Sequence, residues 1–214
     1  MLIVGAKGFA KELLQYFHNN NYTEDLCFFD NVSEDIPNLL YNKYPVIKTF
    51  DEVREFFQKI NHFVLGVGNP KARFNLSKKM IELGGQMISV ISNSVEIGTY
   101  GLRIGNGATI MSGTIITNDI QIGNGTLINL NCTIGHDSII GKYCELSPGV
   151  HVSGHVIIDD FTSIGTGAVI IPNIKIGKNC IIGAGSVVNK DIPDNSVAVG
   201  VPAKVIKVLE PFNE

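Results

Sequence analysis

An aliphatic residue recurs at every sixth position for most of the second half of the chain. The positions are Ile104, Ile110, Ile116, Ile122, Ile128, Ile134, Ile140, Leu146, Val152, Ile158, Ile164, Ile170, Ile176, Ile182 and Val188. With 44% of residues hydrophobic, fifteen unbroken hits in one phase arise by chance in roughly one sequence in 10⁵. Two residues ahead of each aliphatic runs a second column of mostly small or β-branched residues, among them Ala108, Thr114, Thr126, Cys132, Ser138, Cys144, Thr162, Cys180 and Ser186. A period of six fits neither the 3.6 of a helix nor the 2 of a simple strand. It is the pattern of a parallel β-helix, in which a short strand and a turn make one flat face and three faces close a coil. Glycine or asparagine after the aliphatic, as in Ile104-Gly105, Ile122-Gly123, Ile134-Gly135 and Ile164-Gly165, is expected to supply corners of unusual φ.

The first half reads differently. Thirteen of its residues before position 100 are Phe or Tyr, of 17 in the chain. The apolar run Leu2-Ile3-Val4 leads into Gly5-Ala6-Lys7-Gly8-Phe9-Ala10 and a helix through Leu13, Leu14, Tyr16 and Phe17. A second strand, Leu26 to Phe29, ends at Asp30. Thr49 caps a helix through Val53, Phe56 and Phe57. Strand Phe63 to Gly68, a helix through Leu76, Met80 and Ile81, and strand Met87 to Val90 complete it. The alternation predicts a parallel sheet. A strand, a glycine turn and a helix aim backbone N–H groups and a helix N-terminus at a phosphate. A bare βα turn needs no ligand to look the same.

Composition excludes several classes. The net charge of -3 carries no like-charge run, hence no electrostatic footprint for nucleic acid or an anionic membrane. No apolar stretch is long enough for a membrane span, and Lys7 and Lys11 interrupt any signal-like start, so a cytoplasmic location is expected. Cys27, Cys132, Cys144 and Cys180 form no CxxC or Cys/His pattern, so neither a disulfide scaffold nor a metal site is expected. Three of them lie in the small-residue column and read as packing residues.

Among five histidines, His18 and His62 read as surface or capping positions, and His151, which precedes an inward valine, as a surface one. His136 follows Ile134-Gly135 at a corner and is followed by Asp137. One eighteen-residue coil beyond His136 is Gly154, a position without a side chain, which predicts an open slot where a thioester reaches the backbone. One coil beyond Asp137 is His155, stacked over the pair.

The unbroken Ile-Gly hexads, Pro172 near a corner and the C-terminal Gly200-Val201-Pro202-Ala203-Lys204 resemble the hexapeptide-repeat acyltransferases, and left-handedness of the helix follows from that resemblance alone. With the Gly-Ala-x-Gly-Phe-Ala turn, Phe-Phe-Asp-Asn near residue 30 and Gly-Val-Gly-Asn-Pro at 66 to 70, essentially the whole chain resembles the nucleotide-sugar N-acetyltransferases of bacillosamine and perosamine type, with sialic acid O-acetyltransferase relatives. The resemblance implies an α/β Rossmann-like nucleotide-sugar domain over 1–88 and an all-β left-handed parallel β-helix with a C-terminal tail over 89–214.

It further implies that Gly5, Gly8, Asp30 and Asn69 line the nucleotide-sugar site, that His136 is the general base and Asp137 its orienter, and that Asn129 sits near the acceptor amine. Acetyl-CoA is the implied co-substrate, with contacts from Gly154, His155, Ser163, Gly165 and Ala184. A histidine with an unperturbed pKa of about 6.5 can take a proton from an amine at neutral pH, the carboxylate sets its tautomer, and an N–H near Gly154 can hold the oxyanion. Family members often carry a second histidine nine residues after the base; here that position is Glu145, which either binds the acceptor or is a surface residue.

The expected function is acetyl transfer from acetyl-CoA to the amine of a nucleotide-linked 4-amino sugar, UDP-linked by preference, by a homotrimer with its site between subunits and no metal. A sugar O-acetyltransferase and a non-catalytic nucleotide-sugar-binding scaffold are the two rivals.

Overall fold

The computed structural model describes residues 1–22 and 24–212. By internal contacts the chain divides into two units, residues 1–68 with 72–89, and residues 69–71 with 90–214.

The first unit is a six-stranded sheet with helices. β1 (Leu2–Val4) pairs in parallel with β2 (Cys27–Phe29) on one side and with a strand at His62–Leu65 on the other. Between them in sequence lie α1 (Gly8–Asn19), β3 (Leu39–Leu40), β4 (Tyr44–Ile47) and α2 (Phe50–Phe57); then come β5 (His62–Leu65), α3 (Pro70–Glu82) and β6 (Gln86–Met87). The order β3-β4-β2-β1-β5-β6 is parallel apart from the short antiparallel β3–β4 pair, where the expectation of a parallel sheet fails. Leu40 and Tyr44 are too close in sequence for a crossover, so the chain doubles back.

α1 buries Ala10, Leu13, Leu14 and Phe17, a stripe at helical spacing. α2 starts on a complete capping box: the Glu52 N–H donates to Thr49 Oγ1 (3.3 Å) and the Thr49 N–H to Glu52 Oε2 (2.8 Å). That Thr49 hydroxyl and the Lys48 N–H hold the Glu52 carboxyl below its ordinary range.

The second unit is the β-helix. Three sheets form its faces: eight strands from Val90–Ile91 to Ala203–Val208, six from Glu96–Ile97 to Val187–Val188, and five from Arg103–Ile104 to Lys175–Ile176. Residues eighteen apart pair in register, as in Leu127↔Glu145 and Thr133↔His151. Every residue of the aliphatic column except Ile104 is buried, each worth about 1.5–3 kcal/mol relative to exposure. The pattern extends one coil further than the hexads show. Glu96–Ile97 pairs with Ile115–Ile116 and Val90–Ile91 with Thr109–Ile110, a separation of nineteen, so one inserted residue throws Ile97-Gly98 out of phase. Val90, read from sequence as the end of an α/β strand, belongs to this first coil.

The corners work differently from the expectation. The left-handed residues are not those just after the aliphatic but those three after it, at 107, 113, 119, 125, 131, 137 and onward every sixth position to 185, with φ between 49° and 75°. The glycine after the aliphatic serves close approach instead: a Cβ on Gly123 meets the Gly141 carbonyl carbon and Lys142 nitrogen at 2.5 Å, and one on Gly165 meets the Ala184 nitrogen at 2.5 Å.

The small-residue column has a further function that size alone does not require. Thr126 Oγ1 donates to the Gly141 carbonyl (2.7 Å) and accepts from the Cys144 N–H (3.1 Å); Thr162 does the same with Gly177 (2.7 Å) and Cys180 (3.0 Å). These buried hydroxyls pair backbone groups that no strand satisfies.

Candidate active site

His136 and Asp137 lie at the corner between the second and third faces. The Asp137 φ of 58° turns its carboxylate back beside its neighbour, and His136 Nδ1 lies 2.8 Å from Asp137 Oδ2. With the proton on Nδ1 donated to that carboxylate, Nε2 keeps a lone pair for an incoming proton. Both side chains are exposed. His155, one coil on, packs edge-to-face on His136 with centroids 5.1 Å apart, and its Nε2 is 3.7 Å from Asp137 Oδ2.

Gly154 is where the structure departs from the expected open slot. A Cβ there meets His136 Cε1 and Nε2 at 2.7 Å and Nδ1 at 3.1 Å. The imidazole itself fills the space, so Gly154 makes room for the base.

The backbone N–H of Gly154 belongs to a recurring corner position, just before the left-handed residue. At four such positions the N–H donates to an Asn or Asp one coil or so further on: Tyr100 to Asn118 Oδ1 (3.2 Å), Asn106 to Asn124 Oδ1 (3.0 Å), Lys142 to Asp160 Oδ1 (2.6 Å) and Lys178 to Asp194 Oδ1 (2.9 Å). At Asn124, His136 and Ala184 it makes no hydrogen bond among the described residues. Beyond His136 the same position is Gly154, and beyond that Pro172, neither with a side-chain acceptor. Among the described residues the Gly154 N–H makes no hydrogen bond.

The other residues expected on the β-helix lie elsewhere in the chain. Glu145 and Ser163 sit on the first face, and Asn129, Gly165 and Ala184 at the corner between the first and second faces. A whole face separates them from His136. Asn129 is buried, with Oδ1 accepting the Leu130 N–H at 2.8 Å, and its Nδ2 has no partner among the described residues. Glu145 is half-buried and accepts hydrogen bonds from two hydroxyls, Ser147 Oγ to Oε1 (2.8 Å) and Ser163 Oγ to Oε2 (2.6 Å).

In the first unit Gly5 has a structural cause. Its φ is 115° and a Cβ comes within 2.8 Å of the Gly66 carbonyl oxygen. Gly8 has none: its φ is ordinary and a Cβ there meets nothing within 4 Å. It opens α1, whose N-cap Lys7 makes no side-chain cap and whose first turn carries no acid, leaving N–H groups available to an anion. Asp30 closes a turn by accepting the Val32 and Ser33 N–H groups on Oδ1 (3.1 and 2.9 Å) and the Ser33 hydroxyl on Oδ2 (3.2 Å). Asn69 is exposed and groups with the second unit.

Sequence reading missed one set. Arg103, Asp119, Gln121 and Asp137 line an open depression of about 390 Å³ with Gly101 and Ile139. Subtracting one coil from Asp137 finds Asp119, and the strand ladder Arg103↔Gln121↔Ile139 finds the rest.

Residues 1–80 match the family model of the PglD N-terminal domain, and residues 155–190 that of the bacterial transferase hexapeptide of six repeats. The solved structure of WeeI from Acinetobacter baumannii AYE is similar over 96% of this chain and 98% of that one, with 30% identity and a TM-score of 0.86. This chain belongs to the hexapeptide-repeat nucleotide-sugar N-acetyltransferase family. PerB from Caulobacter crescentus, solved in complex with CoA and GDP-perosamine, is 29% identical over 96% of each chain with a TM-score of 0.86. The acetyltransferase domain of PglB from Neisseria gonorrhoeae FA1090, in complex with acetyl coenzyme A, is 26% identical over 96% of this chain and 98% of that one, with a TM-score of 0.86. No curated protein sequence matches the chain. As in this acetyltransferase family, the coil is a left-handed parallel β-helix, and among the described residues no helix is long and apolar enough to cross a membrane.

Proposed function

We propose that the chain transfers the acetyl group of acetyl-CoA to the amino group of a nucleotide-linked 4-amino sugar, UDP-linked by preference, with His136 as general base. The observation that carries this is the His136–Asp137 pair at 2.8 Å, the imidazole packed against Gly154, whose N–H makes no hydrogen bond among the described residues. The amine nitrogen attacks the thioester carbon and forms the C–N bond while the carbonyl electrons move onto oxygen, where the Gly154 N–H stabilises them. His136 Nε2 takes the amine proton and Asp137 stabilises the imidazolium. Collapse of the tetrahedral adduct breaks the C–S bond, and the departing CoA thiolate accepts the proton from His136. PerB and the PglB domain, with the ligands named above, support both substrate classes.

The nucleotide sugar is assigned to the N-terminal domain over 1–88, through Gly5, Gly8, Asp30 and Asn69, with its phosphates on the N-terminus of α1. Acetyl-CoA is assigned to Gly154, His155, Ser163, Gly165 and Ala184, and the acceptor amine to Asn129 and Glu145. These β-helix residues lie on the first face and at two different corners, which supports a homotrimer in which a corner of one copy meets the other corner of its neighbour. Incubating purified protein with acetyl-CoA and a panel of UDP- and GDP-4-amino sugars, reading thiol release, tests the proposal. His136→Ala is expected to lose about 10²–10⁴ in kcat, and parent-level turnover by that variant refutes the base. Mass spectrometry of the product as an ester rather than an amide refutes N-transfer.

A further inference from the structure

The His136 corner also presents a donor set that the acetyl-transfer chemistry does not call for. His136, Asp137 and His155 each bring one ligand atom to within 4.8 Å of the other two. His136 Nδ1 is 2.8 Å and His155 Nε2 3.7 Å from Asp137 Oδ2. Ligands about 2.0–2.1 Å from a tetrahedral zinc ion stand about 3.3 Å apart, which falls between those two separations. Two imidazoles with one carboxylate suit a borderline divalent transition metal rather than magnesium or calcium.

The corner is also built to hold them. Asp137 and His155 have φ of 58° and 57°, the His155 N–H donates to the His136 carbonyl at 2.8 Å and the Asp137 N–H to the Asn118 carbonyl at 3.3 Å. The left-handed column through these residues otherwise reads Gly101, Asp119 and Asn173, so the corner itself asks for a short residue, not an imidazole. The three side chains are 61%, 46% and 56% exposed, which lets a hydrated cation enter and keep water in its fourth position. The adjoining depression holds Asp119 as well as Asp137, with Arg103 offsetting one of the two negative charges.

We propose that His136, Asp137 and His155 form an inhibitory site for one divalent transition-metal ion of the zinc class per subunit. The inhibition rests on His136 being the base; the binding does not. The cation takes the lone pair of His136 Nδ1, so the single proton of the neutral imidazole resides on Nε2. The nitrogen that accepts the amine proton in catalysis becomes a donor, and transfer stops. His155 contributes its Nε2 lone pair with its own proton on Nδ1, and the three protein ligands displace waters of the incoming ion, which keeps one in its fourth position. No oxidation or covalent step is involved.

Titrating the full-length protein with zinc chloride by calorimetry, with cobalt(II) absorbance as a second readout, tests the site. The expected result is one ion per subunit, weakened at least about tenfold by His155→Asn and unchanged by His151→Asn, whose imidazole lies on the second face against Thr133. Absence of stoichiometric binding, or binding indifferent to His155→Asn, overturns the site. Acetyl transfer is expected to fall in step with occupancy and to return on adding a chelator; full activity at saturating zinc overturns the inhibition. Undiminished activity of His136→Ala refutes the base alone, because calorimetry and cobalt spectra read the site without turnover.

Discussion

Replacing Gly154 by alanine separates the catalytic role of this position from its role in folding. The φ of Gly154 is not in the left-handed region, so alanine fits the backbone, and reduced freedom of the unfolded chain contributes up to about 0.4–1 kcal/mol of stability. The new Cβ, however, lies 2.7 Å from His136 Cε1 and Nε2, against about 3.5–4.0 Å for ordinary carbon contacts. The obstructed atoms are the tip of an exposed side chain, so the imidazole retreats by about 1 Å instead of the backbone breaking. A retreat of that size stretches the 2.8 Å bond to Asp137 beyond hydrogen-bond range, and a misplacement of about 1 Å costs on the order of 10² in rate. The expected outcome is a kcat about 100-fold lower, or about 2.7 kcal/mol in barrier, with an unchanged or slightly raised Tm. Thiol-release kinetics and thermal melts on one preparation check both. Parent-level kcat in a folded Gly154→Ala protein would refute the placement of the base. Gly135→Ala is the contrasting case: its Cβ meets the backbone at Gly154 N and Ser153 C, both at 2.6 Å, and the melt itself is expected to fall.

Thr162→Val keeps the shape of a buried side chain but leaves the Gly177 carbonyl and Cys180 N–H unpaired; urea denaturation is expected to show a loss of about 1–3 kcal/mol, and a neutral result contradicts the role of the hydroxyl column. Burial pushes the Cys144 thiol up to about 12 and the Cys132 thiol up to about 11 from an ordinary 9.0. The folded chain therefore keeps protons that the unfolded chain releases above pH 9, and this contribution to stability declines as pH rises from there towards the folded values. At pH 8 native Cys132 and Cys144 are expected to resist a thiol reagent that labels both in denaturant. Gly8→Val introduces a side chain into open space, so folding survives, while the KM for the nucleotide sugar rises at least about tenfold if phosphates seat on α1; an unchanged KM argues against that seat.

Much of this protein was determined by sequence alone, because a β-helix is a one-dimensional crystal in which local period dictates the tertiary neighbour. The Ile104 to Val188 column predicts its own burial, and adding one coil to the residue number is enough to place Gly154 beside His136 and His155 beside Asp137. Thr49 likewise announces its helix, since a capping box is complete within four residues. Tertiary packing decided the remainder. The inserted residue between Ile97 and Tyr100 hides the first coil from a strict hexad count. The antiparallel β3–β4 pair depends on a short reversal that alternation does not reveal. That the His136 imidazole fills the space beside Gly154 follows from atoms eighteen residues apart meeting at 2.7 Å. Packing also decided the division of the expected site between two corners: the hexad period says that a residue sits at a corner, but only the sheets say which of the three corners it is.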